Sequence, residues 1–270
     1  MSYFGNKFIR RLSGALLRAL ATAIVILAGG SSVAQAGFDF SVGETFRSYP
    51  LSGVLEVDSG YGFLLWGART PTSPWYGYLR PRVLASSAGT YNSLDGAVEF
   101  YPLSFLGGRV GAEGIENNRD YSAYDCVAFV CRGRFYRTYA SADVTLGAGP
   151  LFGQFRWRRE RWTERTPGVV PFIDPTNALA LSGQGDFETV YRAMLGVSLN
   201  PRWALMGVLV YATADSDRAI SRFPFALLRY RTGLWTIAVG GGSYRSPLQR
   251  EGASGLLFIS WEPKPSLALH

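Results

Sequence analysis

The sequence predicts an all-β fold: a transmembrane antiparallel up-and-down β-barrel of twelve strands. Three observations predict it. Apolar and polar residues alternate with period two along nearly the whole chain, the signature of strands with two different faces. The alternating runs are 11 to 15 residues long, about twice the usual ~5–6 of a globular strand and enough to cross a bilayer. The connections between them switch regularly between tight and long. Composition agrees: 47% of the 270 residues are hydrophobic and only 17% charged, with 32 Gly, 15 Tyr and 17 Phe. Such a chain is too apolar for intrinsic disorder, whose signature is low hydrophobicity and high charge. Two cysteines exclude a disulfide-rich scaffold.

The first 36 residues read as an address. Lys7, Arg10, Arg11 and Arg18 precede an apolar run, ALATAIVILAGG, and then SSVAQA, with Ala34 and Ala36 in the small-residue positions. This is a cleaved export signal; twelve apolar residues rise only about 18 Å as a helix, too short to span a membrane. Without those four cations the formal charge of +7 falls to +3. The basic balance is thus mostly the address, and it gives no support to nucleic-acid binding. Downstream no apolar stretch is long enough for a membrane helix. Export therefore leads to the periplasm, the medium, or the outer membrane as a barrel.

Within 37–262 the segments are 38–47, 53–66, 75–85, 91–102, 107–118, 135–149, 151–162, 185–199, 203–214, 221–231, 233–245 and 253–262, followed by a short periplasmic tail over 263–270. In Val54–Trp66, Leu55, Val57, Tyr61, Phe63 and Leu65 share one face and Glu56 and Asp58 the other. In Trp75–Ala85, Trp75, Leu79 and Val83 oppose Tyr76, Tyr78, Arg80 and Arg82; in Tyr136–Gly149, Ala140, Ala142, Val144 and Leu146 oppose Arg137, Ser141 and Asp143. Phe187–Leu199 sets Tyr191, Ala193, Leu195 and Val197 against Glu188, Arg192 and Ser198. Tight turns at Gly149-Pro150, Asn200-Pro201-Arg202 and Thr232-Gly233 follow even-numbered segments, and the long irregular links 119–134 and 163–184 follow odd ones. Ten strands would result if 38–47 and the weakly marked links near 50 and 88 were read differently. Trp66, Trp75, Trp203, Trp235 and Trp261 all fall near the tight-turn ends, the place of an interfacial aromatic girdle. Pro81 and Pro224 interrupt proposed strands, where a missing N–H calls for a bulge or a shifted boundary.

Over 38–262 the chain resembles the Gram-negative outer-membrane β-barrel class, on its AQA signal, its alternating segments and its closing stretch, Gly255-Leu-Leu-Phe-Ile-Ser-Trp261. That stretch is similar to the C-terminal signal by which the class is recognised for insertion, although here Glu262–His270 follows it. The resemblance implies an outer-membrane location, with lipid, lipopolysaccharide and the barrel-assembly machinery as partners. It implies no cofactor.

The chemistry of a hydrolase is missing from the expected barrel. Members of the class that act as lipases, acyltransferases or proteases use a histidine as general base, and the lone histidine here is His270, in the tail. No catalytic residue and no metal site is assigned. Cys126 and Cys131 lie in a long loop, with no further ligands nearby; in an oxidising compartment they are expected to form a small disulfide. The run Arg156-Trp-Arg-Arg-Glu-Arg-Trp162 splits by parity. Arg156, Arg158 and Glu160 face inward, while Arg159 and Arg161 face a rim where their planar forks suit lipopolysaccharide phosphates.

The polar faces together give the expected lumen: acids Glu56, Asp58, Asp95, Glu99, Glu113, Asp143, Glu160 and Glu188 against bases Arg80, Arg82, Arg109, Arg137, Arg156, Arg158 and Arg192. A strongly selective pore needs a ring of one sign. Mixed signs on neighbouring strands point to cross-strand ion pairs in a narrow interior, with Arg80, Arg82, Glu56 and Asp58 as one cluster. The functions this allows are a narrow passive conduit for small polar solutes or a non-conducting structural barrel. The alternatives are a surface adhesion or recognition barrel acting through loops 119–134 and 163–184, and a soluble secreted carrier.

Overall fold

A computed structural model describes residues 36–68, 74–120, 124–164, 170–216 and 218–264. Strands β1 (Ala36–Ser48), β2 (Leu51–Gly67), β3 (Tyr76–Ser87), β4 (Tyr91–Leu103), β5 (Leu106–Asn117), β6 (Gly133–Ala148) and β7 (Leu151–Glu164) come first. A two-stranded hairpin follows, β8 (Phe172–Asp174) and β9 (Leu179–Leu181). Then come β10 (Asp186–Ser198), β11 (Trp203–Ala214), β12 (Ile220–Thr232), β13 (Trp235–Ser246) and β14 (Gln249–Lys264). Twelve of these, all but β8 and β9, form one closed barrel in which each strand pairs antiparallel with its sequence neighbours. β1 closes it, pairing with β2 on one side and β14 on the other. The expected count of twelve holds, and the barrel runs two residues further at its end than expected, to Lys264. The expected signal segment and His270 lie outside the described residues, apart from Ala36, which starts β1.

Closure removes the edges that would leave backbone groups unpaired in lipid. The two-residue turns that return the chain use residues of positive φ: Gly149 at +59° and Gly233 at +56°, values that cost a side chain with a Cβ but not glycine. The two prolines need no bulge at their positions, contrary to expectation. Pro81 stands opposite Val98 in an unshifted register with β4, and the β2–β3 register is the same on either side of it. Pro224 pairs with Leu209, and the β12–β13 register is likewise continuous past it. In both cases the neighbouring ladder skips the rungs next to the ring and resumes in phase.

Outward positions are apolar and exposed, among them Val83, Leu94, Val110, Leu146, Leu195, Leu205 and Val239. Trp66, Trp75, Trp203 and Trp235 are exposed at the short-turn end of the barrel, with Trp235 paired to Trp261 across β13 and β14. The long-loop end differs from expectation. The link 163–184 is not irregular throughout: β8 and β9 fold into the barrel mouth, where Phe172, Ile173, Asp174, Ala178, Leu179 and Leu181 are all at most 1% exposed. Phe172, Leu179 and Leu181 pack on Ile115, Phe135, Trp162, Val190, Ala212 and Ala214, the inward residues at that end of five strands. The other long loop holds the hairpin in place. Val130 bridges Phe172 in parallel, its N–H donating to the Pro171 carbonyl at 2.9 Å. One residue further, Cys131 closes the disulfide with Cys126.

Candidate functional site

The interior is the candidate site, and strand parity builds it. On β1 to β7 the inward positions carry charge, and the charges interlock. Arg80 is the hub. Its Nε donates to Asp39 Oδ2 at 2.9 Å, Nη2 to Asp58 Oδ1 at 2.8 Å and Nη1 to Glu99 Oε2 at 3.3 Å. Gly60 on β2 makes this position available, because a Cβ there would collide with the Arg80 guanidinium. Arg82 joins Asp58 at 3.0 Å to Asp95 at 3.2 Å, and Tyr139 donates its hydroxyl to Asp95 at 2.7 Å. Arg109 lies 3.4 Å from Glu99 and 3.7 Å from Asp143, which also accepts from Arg156. Further round, Arg137 links Glu113 at 2.6 Å to Glu160 at 3.0 Å and lies over the Trp162 ring. Arg158 reaches Glu160 at 2.6 Å. Glu188 accepts from Asn177 Nδ2, at 2.6 Å, so the inserted hairpin is tied into the same frame.

The expected cluster around Arg80 and Arg82 needs two corrections. Glu56 is not in it, since no cation lies within ion-pair distance of Glu56 among the described residues, and Asp39 takes its place. Asp39 sits between Phe38 and Phe40, an alternation that marks it as inward-facing and was open to sequence reasoning. Arg47, also inward, lies over the Tyr244 ring at 4.7 Å and was not expected either.

From β11 to β14 the inward face changes character. Met206, Val208, Val210, Phe223, Phe225, Leu227, Ala238, Leu256 and Phe258 form an apolar wall, and Gly240 and Gly242 lie in register with Leu227 and Phe225. The seam between the two walls runs along β10. There Arg192 stands between Arg156 of β7 and Val210 of β11. Among the described residues Arg192 has no carboxylate within 4 Å, whereas Arg80, Arg82, Arg109, Arg137, Arg156 and Arg158 all have one. Although Arg192 occupies an inward position on β10, its side chain is open to solvent. Glu56 is on β2, half-way round the barrel from β10, so the two stand on opposed strands. Toward the short-turn end a cavity of about 600 Å³ opens, lined by Phe152, Gln154, Met194, Ser198 and Arg229 among others.

On the outside, Arg159 donates to Thr189 Oγ1 at 2.6 Å and to Asp215 Oδ1 at 3.0 Å. Its fork is therefore engaged by a carboxylate of the chain itself, and that hydrogen bond holds the Asp215 carboxyl below its ordinary range. Arg161 is exposed beside the Phe187 ring. In the disulfide loop Val127 is 97% exposed, while Val130 is held against the hairpin.

No family model and no curated protein matches this sequence. Solved structures with a similar barrel include a NanC porin, at 12% identity over 82% of this chain and 98% of that one, with a TM-score of 0.47. A KdgM porin matches at 11% identity over 83% and 98%, with a TM-score of 0.44. An outer membrane channel from Pseudomonas putida F1 matches at 11% over 86% and 97%, with 0.42. The likeness is one of barrel architecture.

Proposed function

We propose that this chain is an integral outer-membrane barrel, exported through a cleaved signal, that forms a narrow conduit for small polar solutes. Its long-loop mouth is restricted by the hairpin β8–β9. One observation carries the reading: Glu56 and Arg192, each without an ion-pair partner among the described residues, stand at inward positions of strands half-way round the barrel from one another. A barrel serving only as a scaffold gains nothing from two inward charges held without partners, since unpaired charges do not bind its walls together. A conduit gains a transverse field across its interior, which orders dipolar and charged solutes. The frame of ion pairs on β1 to β7 then keeps that wall rigid. The apolar exterior disfavours a soluble carrier, since large exposed apolar bands are incompatible with water. Lipid, lipopolysaccharide and the assembly machinery are the partners this location brings, and no catalytic role is assigned.

The test is current through planar bilayers containing the purified protein. Expected are small, discrete conductance steps, with Glu56→Gln moving the reversal potential toward anion selectivity and Arg192→Gln toward cation selectivity. Absence of steps in wild type and in both variants would leave a non-conducting structural barrel, the reading that the buried hairpin favours. The same preparation should begin near Gly37, sediment with outer membranes and run faster on gels when unheated; recovery in the soluble periplasm would remove the membrane reading altogether.

A further inference from the structure

The arginine pair on the β10 seam points to a specific kind of solute, an inference that rests on the open interior proposed above. Arg156 and Arg192 are direct cross-strand neighbours on one face, and like charges placed so are destabilising. Asp143 compensates Arg156. Arg192 has no carboxylate within 4 Å among the described residues. One step toward the short turns, the inward pair is Gln154 and Met194, both on the 600 Å³ cavity. Arg229 lines the same cavity and lies over the Phe152 ring at 5.0 Å, again with no carboxylate within 4 Å among the described residues. On the other flank of Arg192 the apolar wall begins at once, with Val210 beside it and Val208 beside Met194.

We propose that Arg192, with Arg156, is a subsite for the carboxylate of a small organic acid, whose apolar body lies along Val208 and Met194 toward the cavity. The chemistry follows from the two flanks. A guanidinium fork matches a carboxylate in two parallel hydrogen bonds, and an anion between two like charges turns their repulsion into attraction. An inorganic anion would use the arginines but leave the apolar wall in contact with water. A neutral apolar solute would do the opposite. An acid with a ring or short chain uses both, and Arg229 places a third cation on the cavity next to it.

Benzoate is the probe, with acetate and chloride as comparisons, added to the mature barrel in detergent and followed by titration calorimetry. Wild type binds benzoate at one site, and acetate and chloride at least about tenfold more weakly, the loss of an apolar ring's burial. Arg192→Gln weakens benzoate binding about tenfold, the scale of one charge-assisted hydrogen bond; Arg192→Lys, which keeps the charge without the fork, falls between. Heat-dependent gel mobility verifies that each variant is folded. Equal binding of benzoate by wild type and Arg192→Gln, acetate binding as tight as benzoate, or no binding would each overturn the proposal. Bilayer current separates this from the conduit reading: binding without current keeps the subsite and removes the conduit, and current without a benzoate preference does the reverse.

Discussion

Strands β3 to β7 each carry at least two charges at their inward positions, whereas β11 to β14 carry Met206, Val208, Phe225, Leu227 and Phe258 at theirs, although both halves turn the same apolar exterior outward. Lipid dictates the outer face of every strand, because a charge there costs several kcal/mol at mid-bilayer. No such uniform rule acts on the inner face. There each side needs only a way to satisfy what it buries, by ion pairs on one wall and by dispersion and the exclusion of water on the other. The difference also sets the consequence of damage. Removing a member of the charged frame leaves its partners buried and unpaired, while trimming the apolar wall leaves only a gap.

The largest effect that tests this contrast is at Arg80. Arg80→Ala leaves Asp39 buried and unpaired and takes from Asp58 and Glu99 one of the cations each shares with Arg82 or Arg109, and should cost about 3–5 kcal/mol. The urea midpoint of the unheated gel form should drop accordingly, and any current should shift toward cations. Unchanged stability with unchanged selectivity would mean that the inward frame on β3 is wrongly placed. Second comes the apolar wall: Met206→Ala should cost about 2 kcal/mol through lost burial and a partly filled gap, with ion selectivity unaltered. A selectivity change there would break the division into two walls. Third, replacing Cys126 and Cys131 with Ser should cost no more than about 2 kcal/mol, since the closed loop is so short. The barrel should still assemble, with faster hydrogen exchange in β8 and β9 as the sign that the strap on the hairpin has loosened. Smallest is the rim. Arg159→Ala breaks an exposed pair with Asp215, worth about 0–1 kcal/mol and less in salt. Because Asp215 titrates below its ordinary range when folded, that contribution is present above the ordinary carboxylate value and fades as pH falls through the lowered one; the pH dependence of the wild-type midpoint minus that of the variant measures it.

The sequence by itself determined the twelve strands, the parity of the charged ones and the pairing of the only two cysteines; the alternation of tight and long connections held only in part, because β1–β2, β3–β4 and β13–β14 also join by turns of two or three residues. Period-two alternation is a local property, written wherever one face meets lipid and the other does not. Asp39 was equally legible between Phe38 and Phe40. The apolar wall was not, because Trp203–Ala214 is apolar on both faces and alternation vanishes when the two environments ask for the same chemistry. Nor was the hairpin, whose strands of three residues are too short to show a period. Only closure of the sheet decided that Glu56 faces Arg192, that Asp39 rather than Glu56 completes the Arg80 cluster, and that Arg192 stands where charge gives way to hydrocarbon. Those relations join residues of different strands, 41 positions apart for Asp39 and Arg80 and more than a hundred for Glu56 and Arg192. Period two assigns a side chain to a face but carries no information about what lies across the barrel; the order and stagger of all twelve strands together settle that.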